Sequence, residues 1–138
     1  MDYSIPNAFD PSQDLVFDGN TPDRNPKTQL TFIGEYSKSY SNDLSLVARM
    51  DYGYQSKQYF ERSNDEELAQ DGFGLLNGTF TLIGLFNNKL NLSLFGYNLT
   101  NTNFSVLSTR SFEGGYTIIP GAPRLFGIKL NFINLLKQ

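Results

Sequence analysis

From Phe126 to Phe132 every second residue is apolar: Phe126, Ile128, Leu130 and Phe132 alternate with Gly127, Lys129 and Asn131. A period of two belongs to an extended strand with one apolar and one polar face; an amphipathic helix needs its apolar residues three and four apart. Pro123 stands at the head of this strand, where a missing N–H does least harm. The alternation recurs in four earlier segments, so the terminal strand reads as the last of an antiparallel meander.

Five strands are expected. The first, over 28–40, places Leu30, Phe32 and Tyr36 on one face and Gln29, Thr31, Glu35 and Ser37 on the other. The second, over 44–60, sets Leu44, Leu46, Ala48, Met50, Tyr52 and Tyr54 against Ser45, Arg49, Asp51 and Gln55. The third, over 73–86, sets Leu76, Phe80 and Leu82 against Asn77, Thr79 and Thr81; the fourth, over 90–100, sets Leu90, Leu92 and Leu94 against Asn91 and Ser93. Residues 41–43 and 87–89 read as tight turns. Residues 61–71 read as a charged loop with room for one helical turn, and 101–120 as a long Ser/Thr/Gly loop. Pro6, Pro11, Pro22 and Pro26 make 1–27 an irregular loop, anchored by Phe9 and the apolar run 15–17. The domain plan is a loop over 1–27, strands and connections over 28–132, and a tail over 133–138.

Composition closes several routes. Cys, His and Trp are absent, which removes disulfides, the usual zinc ligands and every Ser/His or Cys/His nucleophile pairing. No catalytic residue, cofactor or metal is expected, and the chain does not read as an enzyme. A net charge of −3 gives no basic surface to track phosphates, so nucleic acid is a poor partner. Tyr and Phe supply 14% aromatics alongside 12 Gly, a palette suited to strands. No apolar run reaches the roughly 18 residues of a membrane-spanning helix. The opening stretch 1–6 has neither the basic head nor the apolar run of a signal peptide, so the chain reads as cytoplasmic or as part of a longer protein.

A mean hydropathy of −0.35 is compatible with a membrane barrel, because alternating strands average low. Two features favour such a wall over a soluble sheet. The strands run about 10–13 residues, the length of a tilted strand crossing a bilayer and longer than the usual five or six. The connections alternate short (41–43), long (61–71), short (87–89), long (101–120), as between the periplasmic and outer sides of such barrels. Tyr36, Tyr40, Tyr52, Tyr54 and Tyr59 lie near strand ends, where an interfacial girdle would sit. A soluble sheet with one buried face shows the same rows, so both readings stay open on these grounds.

Four stretches, in order, carry a family resemblance: DGNTPDRNPK (18–27), AQDGFGLLN (69–77), LFGYNLTNTNF (94–104) and PGAPRLFGIKLNF (120–132). Together they resemble the C-terminal end of a TonB-dependent receptor, the outer-membrane uptake family. The NLTN element at 98–101 is similar to that family's turn after its penultimate strand, and GAPR at 121–124 to its lead-in to the last one. The resemblance implies an all-β fold, an antiparallel meander of five long strands that is the C-terminal segment of a 22-stranded transmembrane β-barrel. It implies the outer membrane of a Gram-negative bacterium as location. It also implies uptake of scarce nutrients (iron chelates, cobalamin or glycans) as the function of the whole. The partners it implies are outer-membrane lipid, the rest of the barrel with its plug, and the barrel-assembly machinery. The family's insertion signal falls on Gly127, Leu130 and Phe132. Leu125 departs from it, standing where a polar residue is usual, and 133–138 continue past the customary final aromatic. The alternative is a small soluble β-meander or sandwich binding glycan or a protein through its loops.

Arg49, Asp51 and Lys129 fall on the polar face of their strands, the lumen of a barrel. They serve there either a plug interface and substrate path or, as preferred, structural ion pairs and solvated charge. Phe104, Arg110, Phe112 and Tyr116 are the expected ligand-facing group on the last long loop. The acidic run Glu61, Asp65, Glu66, Glu67 and Asp71 lacks the spaced ligands and central Gly of a calcium loop, and reads as a solvated outer loop. Four Asn-X-Ser/Thr tripeptides, at Asn77, Asn91, Asn98 and Asn103, are discounted as products of composition.

Overall fold

The five alternating segments form one antiparallel sheet. The computed structural model describes residues 4–7, 12, 14–40, 43–111 and 114–133; Phe9, Phe112, most of the turn at 41–43 and the tail beyond 133 lie outside the described residues. In chain order the strands are β1 (Ser4–Pro6), β2 (Asp14–Val16), β3 (Gln29–Ser39), β4 (Ser45–Gln55), β5 (Gln58–Tyr59), β6 (Ala69–Gln70), β7 (Phe73–Gly84), β8 (Leu90–Tyr97), β9 (Ser105–Arg110), β10 (Tyr116–Pro120) and β11 (Leu125–Phe132). The large sheet has the order β11-β8-β7-β4-β3, with every neighbouring pair antiparallel. Spatial order follows chain order, so the expected all-β meander is the observed fold.

The ends of the strands differ from expectation for local reasons. The second strand stops at Gln55 rather than Phe60. There the Ser56 N–H donates to the Thr28 carbonyl at 2.9 Å, and the Thr28 N–H donates to Ser56 Oγ at 3.0 Å. Beyond that point Gln58 and Tyr59 pair with Gln70 and Ala69 in a small separate sheet. β7 ends at Gly84, whose φ of 87° lies in the left-handed region, and Phe86, Asn87 and Asn88 continue with positive φ. A Cβ on Gly84 would run into the Asp43 carbonyl, so both backbone and space require glycine there. β8 ends at Tyr97 because Asn98 adopts φ 50°, which breaks a ladder but suits Asn.

Two short pairings lie where loop was expected. β1 pairs with β2 inside 1–27. β9 and β10 make a hairpin inside 101–120, with a register shift between Ile119 and Pro120. The charged loop holds a 3-10 turn over Glu66–Leu68, capped by Asp65, whose carboxylate accepts from the Glu67 N–H at 3.0 Å.

The chain divides into two units, one holding the five-stranded sheet (29–55, 73–103 and 122–138) and the other the connecting segments (1–28, 56–72 and 104–121). In the connecting unit Phe60 and Leu68 are buried, at 4% and 1% exposure. In the sheet unit no described apolar side chain is buried.

Candidate functional site

Register decides which residues share a face. One row runs Tyr36, Ala48, Phe80, Leu94, Ile128 and its neighbour Lys38, Leu46, Leu82, Leu92, Leu130. The next rows on the other side are Gly34, Met50, Gly78, Gly96, Phe126 and then Phe32, Tyr52, Leu76. In-register residues of antiparallel neighbours project from the same side. Among described strand positions on that side, Lys38 is the one charged residue. This apolar face is open: Phe32, Phe126, Ile128 and Phe132 are 62%, 65%, 68% and 73% exposed. A soluble sheet would bury such a row.

The opposite face is knitted by polar pairs. Arg49 lies 3.7 Å from Glu35, its partner in register. The Asn77 amide donates to Asp51 at 2.7 Å, and Thr81 Oγ1 donates to Ser93 at 2.9 Å. Lys129 stands opposite Ser93 on the same side. Arg49, Asp51 and Lys129 therefore occupy one surface, and Arg49 and Asp51 are already engaged by neighbours. Gly127 is also on this face, and a Cβ there would enter the ring of Phe95, its cross-strand partner. Leu130 and Phe132 lie on the apolar side, Leu130 54% exposed.

Sequence reasoning noted the turn after β8 without its chemistry. Asn98 is buried at 4% exposure. Its Nδ2 donates to the carbonyls of Thr102 (2.9 Å) and Ala122 (3.1 Å), and its Oδ1 accepts from the Thr102 N–H at 2.8 Å. Its own N–H donates to Asn77 Oδ1 at 3.0 Å. One side chain thus joins the end of β8 to the lead-in of β11. Leu99, anchored by its N–H on the Leu76 carbonyl at 2.7 Å, reaches over Gly78 and Gly96, where Cβ atoms would crowd its methyls. Beside it lies a shallow apolar groove of about 340 Å³, walled by Met50, Phe80, Leu94, Leu99 and Phe126. A turn at 87–89 would set Gly78 opposite Asn98. The strand ends earlier, at Gly84, and the longer turn that follows brings Gly78 opposite Gly96 instead, so this pairing was not legible in the sequence.

Within the connecting unit, the acidic run faces the β9–β10 hairpin. Glu61 Oε1 accepts from Thr109 Oγ1 at 2.9 Å and from the Arg110 N–H at 3.1 Å. Arg110 pairs with Asp65, and the Tyr116 hydroxyl donates to Glu67. Arg110 also lies over the Tyr116 ring, 5.6 Å from its centre, and is its partner in register. The structure thus brings Arg110 and Tyr116 together and engages both with carboxylates of this chain. Phe104 sits apart, its ring over Gly121, whose N–H donates to the Phe104 carbonyl at 2.7 Å. Lys57 pairs with Glu66, and the Tyr59 hydroxyl donates to Glu66 at 2.8 Å. The ammonium of Lys57, then the hydroxyl of Tyr59, hold the Glu66 carboxyl below its ordinary range, while Glu66 raises Lys57 and Tyr59. Among the described residues no group of three or more carboxylates is placed to hold a metal ion.

No family model matches the chain, and no curated protein does. Among solved structures the chain is similar to part of BauA, the ferric preacinetobactin receptor from Acinetobacter baumannii. The alignment covers 83% of this chain and 16% of that one, with 22% identity and a TM-score of 0.61. At that identity the likeness is one of fold, and the chain spans 16% of the receptor's length.

Proposed function

We propose that this chain forms the C-terminal stretch of the wall of a TonB-dependent outer-membrane transporter for a scarce nutrient. An iron chelate is the leading cargo class. The supporting observation is the open apolar face. Five strands present Leu, Ile, Phe, Met and Tyr in register on one side, with no buried apolar side chain among the described residues of the unit. The other side is mixed: it carries the Glu35–Arg49, Asp51–Asn77 and Thr81–Ser93 pairs and Lys129 between apolar residues such as Ile33 and Leu125. A barrel wall has this asymmetry, with lipid outside and a wet lumen inside. A sandwich would bury the apolar side instead. The fold likeness to a ferric preacinetobactin receptor agrees with the reading and suggests the cargo class. The part played by this chain is to hold the wall and display outer loops, with no chemistry of its own.

The chain has no cysteine, so a fluorophore on one introduced thiol reports one position. In lipid–detergent bicelles a polarity-sensitive label at Ile128→Cys is expected to show an apolar environment, and one at Lys129→Cys an aqueous one. Equal, water-like emission from both positions would defeat the reading.

A further inference from the structure

The geometry points to the glycine-floored groove on the apolar face as a seat for one acyl chain of an anionic lipid, whose phosphate is held by Arg124. This rests on the membrane-facing reading above and adds a specific partner to it. Gly78 and Gly96 stand side by side in register and leave a gap between Met50 and Phe126 in their row. Leu99 covers part of that gap, and Met50, Phe80, Leu94 and Phe126 wall the remainder. The lining is mostly hydrocarbon: Arg49 and Thr79 also border it but are register partners on the opposite face, so an acyl chain meets chiefly apolar side chains.

The charge at the rim selects the headgroup. Arg124 lies two residues before Phe126, one pleat repeat or about 7 Å along the strand. Its guanidinium sits over the Phe126 ring, 5.8 Å from the centre, so it belongs to the same face as the groove. Among the described residues it forms no ion pair with a carboxylate. Apart from Lys38, three rows away, the described strand positions of that face carry no other charge. A guanidinium offers phosphate a two-pronged hydrogen bond, and stacking on an aromatic ring keeps its plane fixed. The net charge of −3 opposes any general attraction to anionic lipid. A preference for such lipid must therefore be local.

The test uses the full chain in phosphatidylcholine bicelles, with the label at Ile128→Cys, next to the groove but outside its lining. Phosphatidylglycerol or phosphatidylcholine brominated on the acyl chain is added at equal mole fraction. Brominated phosphatidylglycerol is expected to quench more strongly. Arg124→Gln is expected to cut that preference about fivefold, the worth of one basic residue at a charged lipid surface. Gly78→Leu, which fills the groove, is expected to weaken quenching by both lipids. Equal quenching by the two lipids overturns the inference, as does a preference that survives in Arg124→Gln or dependence of quenching on contact between copies of the chain. A label in an apolar environment with no lipid preference sinks this inference alone; a label that stays in water sinks the membrane reading as well.

Discussion

Asn98 ends β8, and its amide answers for three hydrogen bonds, two to Thr102 and one to Ala122. Its φ of 50° is one that Asn tolerates and Ala does not, at a difference of about 1–2 kcal/mol. Loss of the side chain also leaves backbone groups unpaired beside β11, which costs about 1–3 kcal/mol. Asn98→Ala is thus expected to destabilise the sheet by about 2–5 kcal/mol, read from the denaturation midpoint. Asn98→Gly separates the two causes, since glycine restores the backbone freedom and not the hydrogen bonds. Little or no loss in Asn98→Ala would show that the turn is held by Leu99 alone.

Among elements, those with a strong period were legible and those without it were not. β3, β4, β7, β8 and β11 announce themselves through Leu, Phe and Tyr at every second position, and their faces were read correctly. β9 and β10 were read as loop because Ser105, Ser108 and Thr109 dilute the apolar signal and Pro120 ends the second strand. β1, β2, β5 and β6 have two or three residues each, too few to express a period. Where Arg110 and Tyr116 meet depends on pairings between segments some forty to fifty residues apart, which no local pattern encodes. The Lys57–Tyr59–Glu66 cluster is local by comparison, joining residues seven and nine apart, and has a defined response to pH. Glu66 is depressed, so its contribution is present above the ordinary carboxylate range and is lost as pH falls through the depressed value. Lys57 and Tyr59 are raised from 10.5 and 10.0. Their contributions hold below those values and are lost as pH rises through the raised ones. The cluster should stay closed across neutral pH and open at both extremes, weakly because all three groups are exposed and salt screens them. In Glu66→Gln, NMR titration is expected to find Tyr59 and Lys57 shifted down toward their ordinary values; unmoved titrations would disprove the coupling.

For the whole molecule the decisive feature is that, among the described residues, β3 and β11 each pair on one side only. Each edge leaves a row of backbone N–H and C=O groups facing outward. In hydrocarbon an unsatisfied group costs several kcal/mol, so with roughly ten of them an open sheet cannot cross a continuous bilayer alone. At the rim of a bicelle the short-chain detergent leaves both edges in reach of water while the apolar face meets acyl chains. The 138-residue chain alone in water is expected to self-associate through these edges and its apolar face. Analytical ultracentrifugation checks this, and a stable monomer without detergent would favour the soluble alternative. A proline at Ile33 or Ile128 tests the edge contribution separately, by removing one donor from the ladder.

The meander has an odd number of members, which limits what can complete it. Successive strands reverse direction, so β3 and β11, four reversals apart, run the same way. They cannot zip to each other in the antiparallel manner used everywhere else in the sheet; curling the ribbon shut on itself would need a parallel seam. A filler that keeps every pairing antiparallel starts and finishes with strands of the opposite sense. Such a filler always has an odd count, and a second copy of this chain, inserted head to tail between the two edges, meets the same parity rule only by turning upside down.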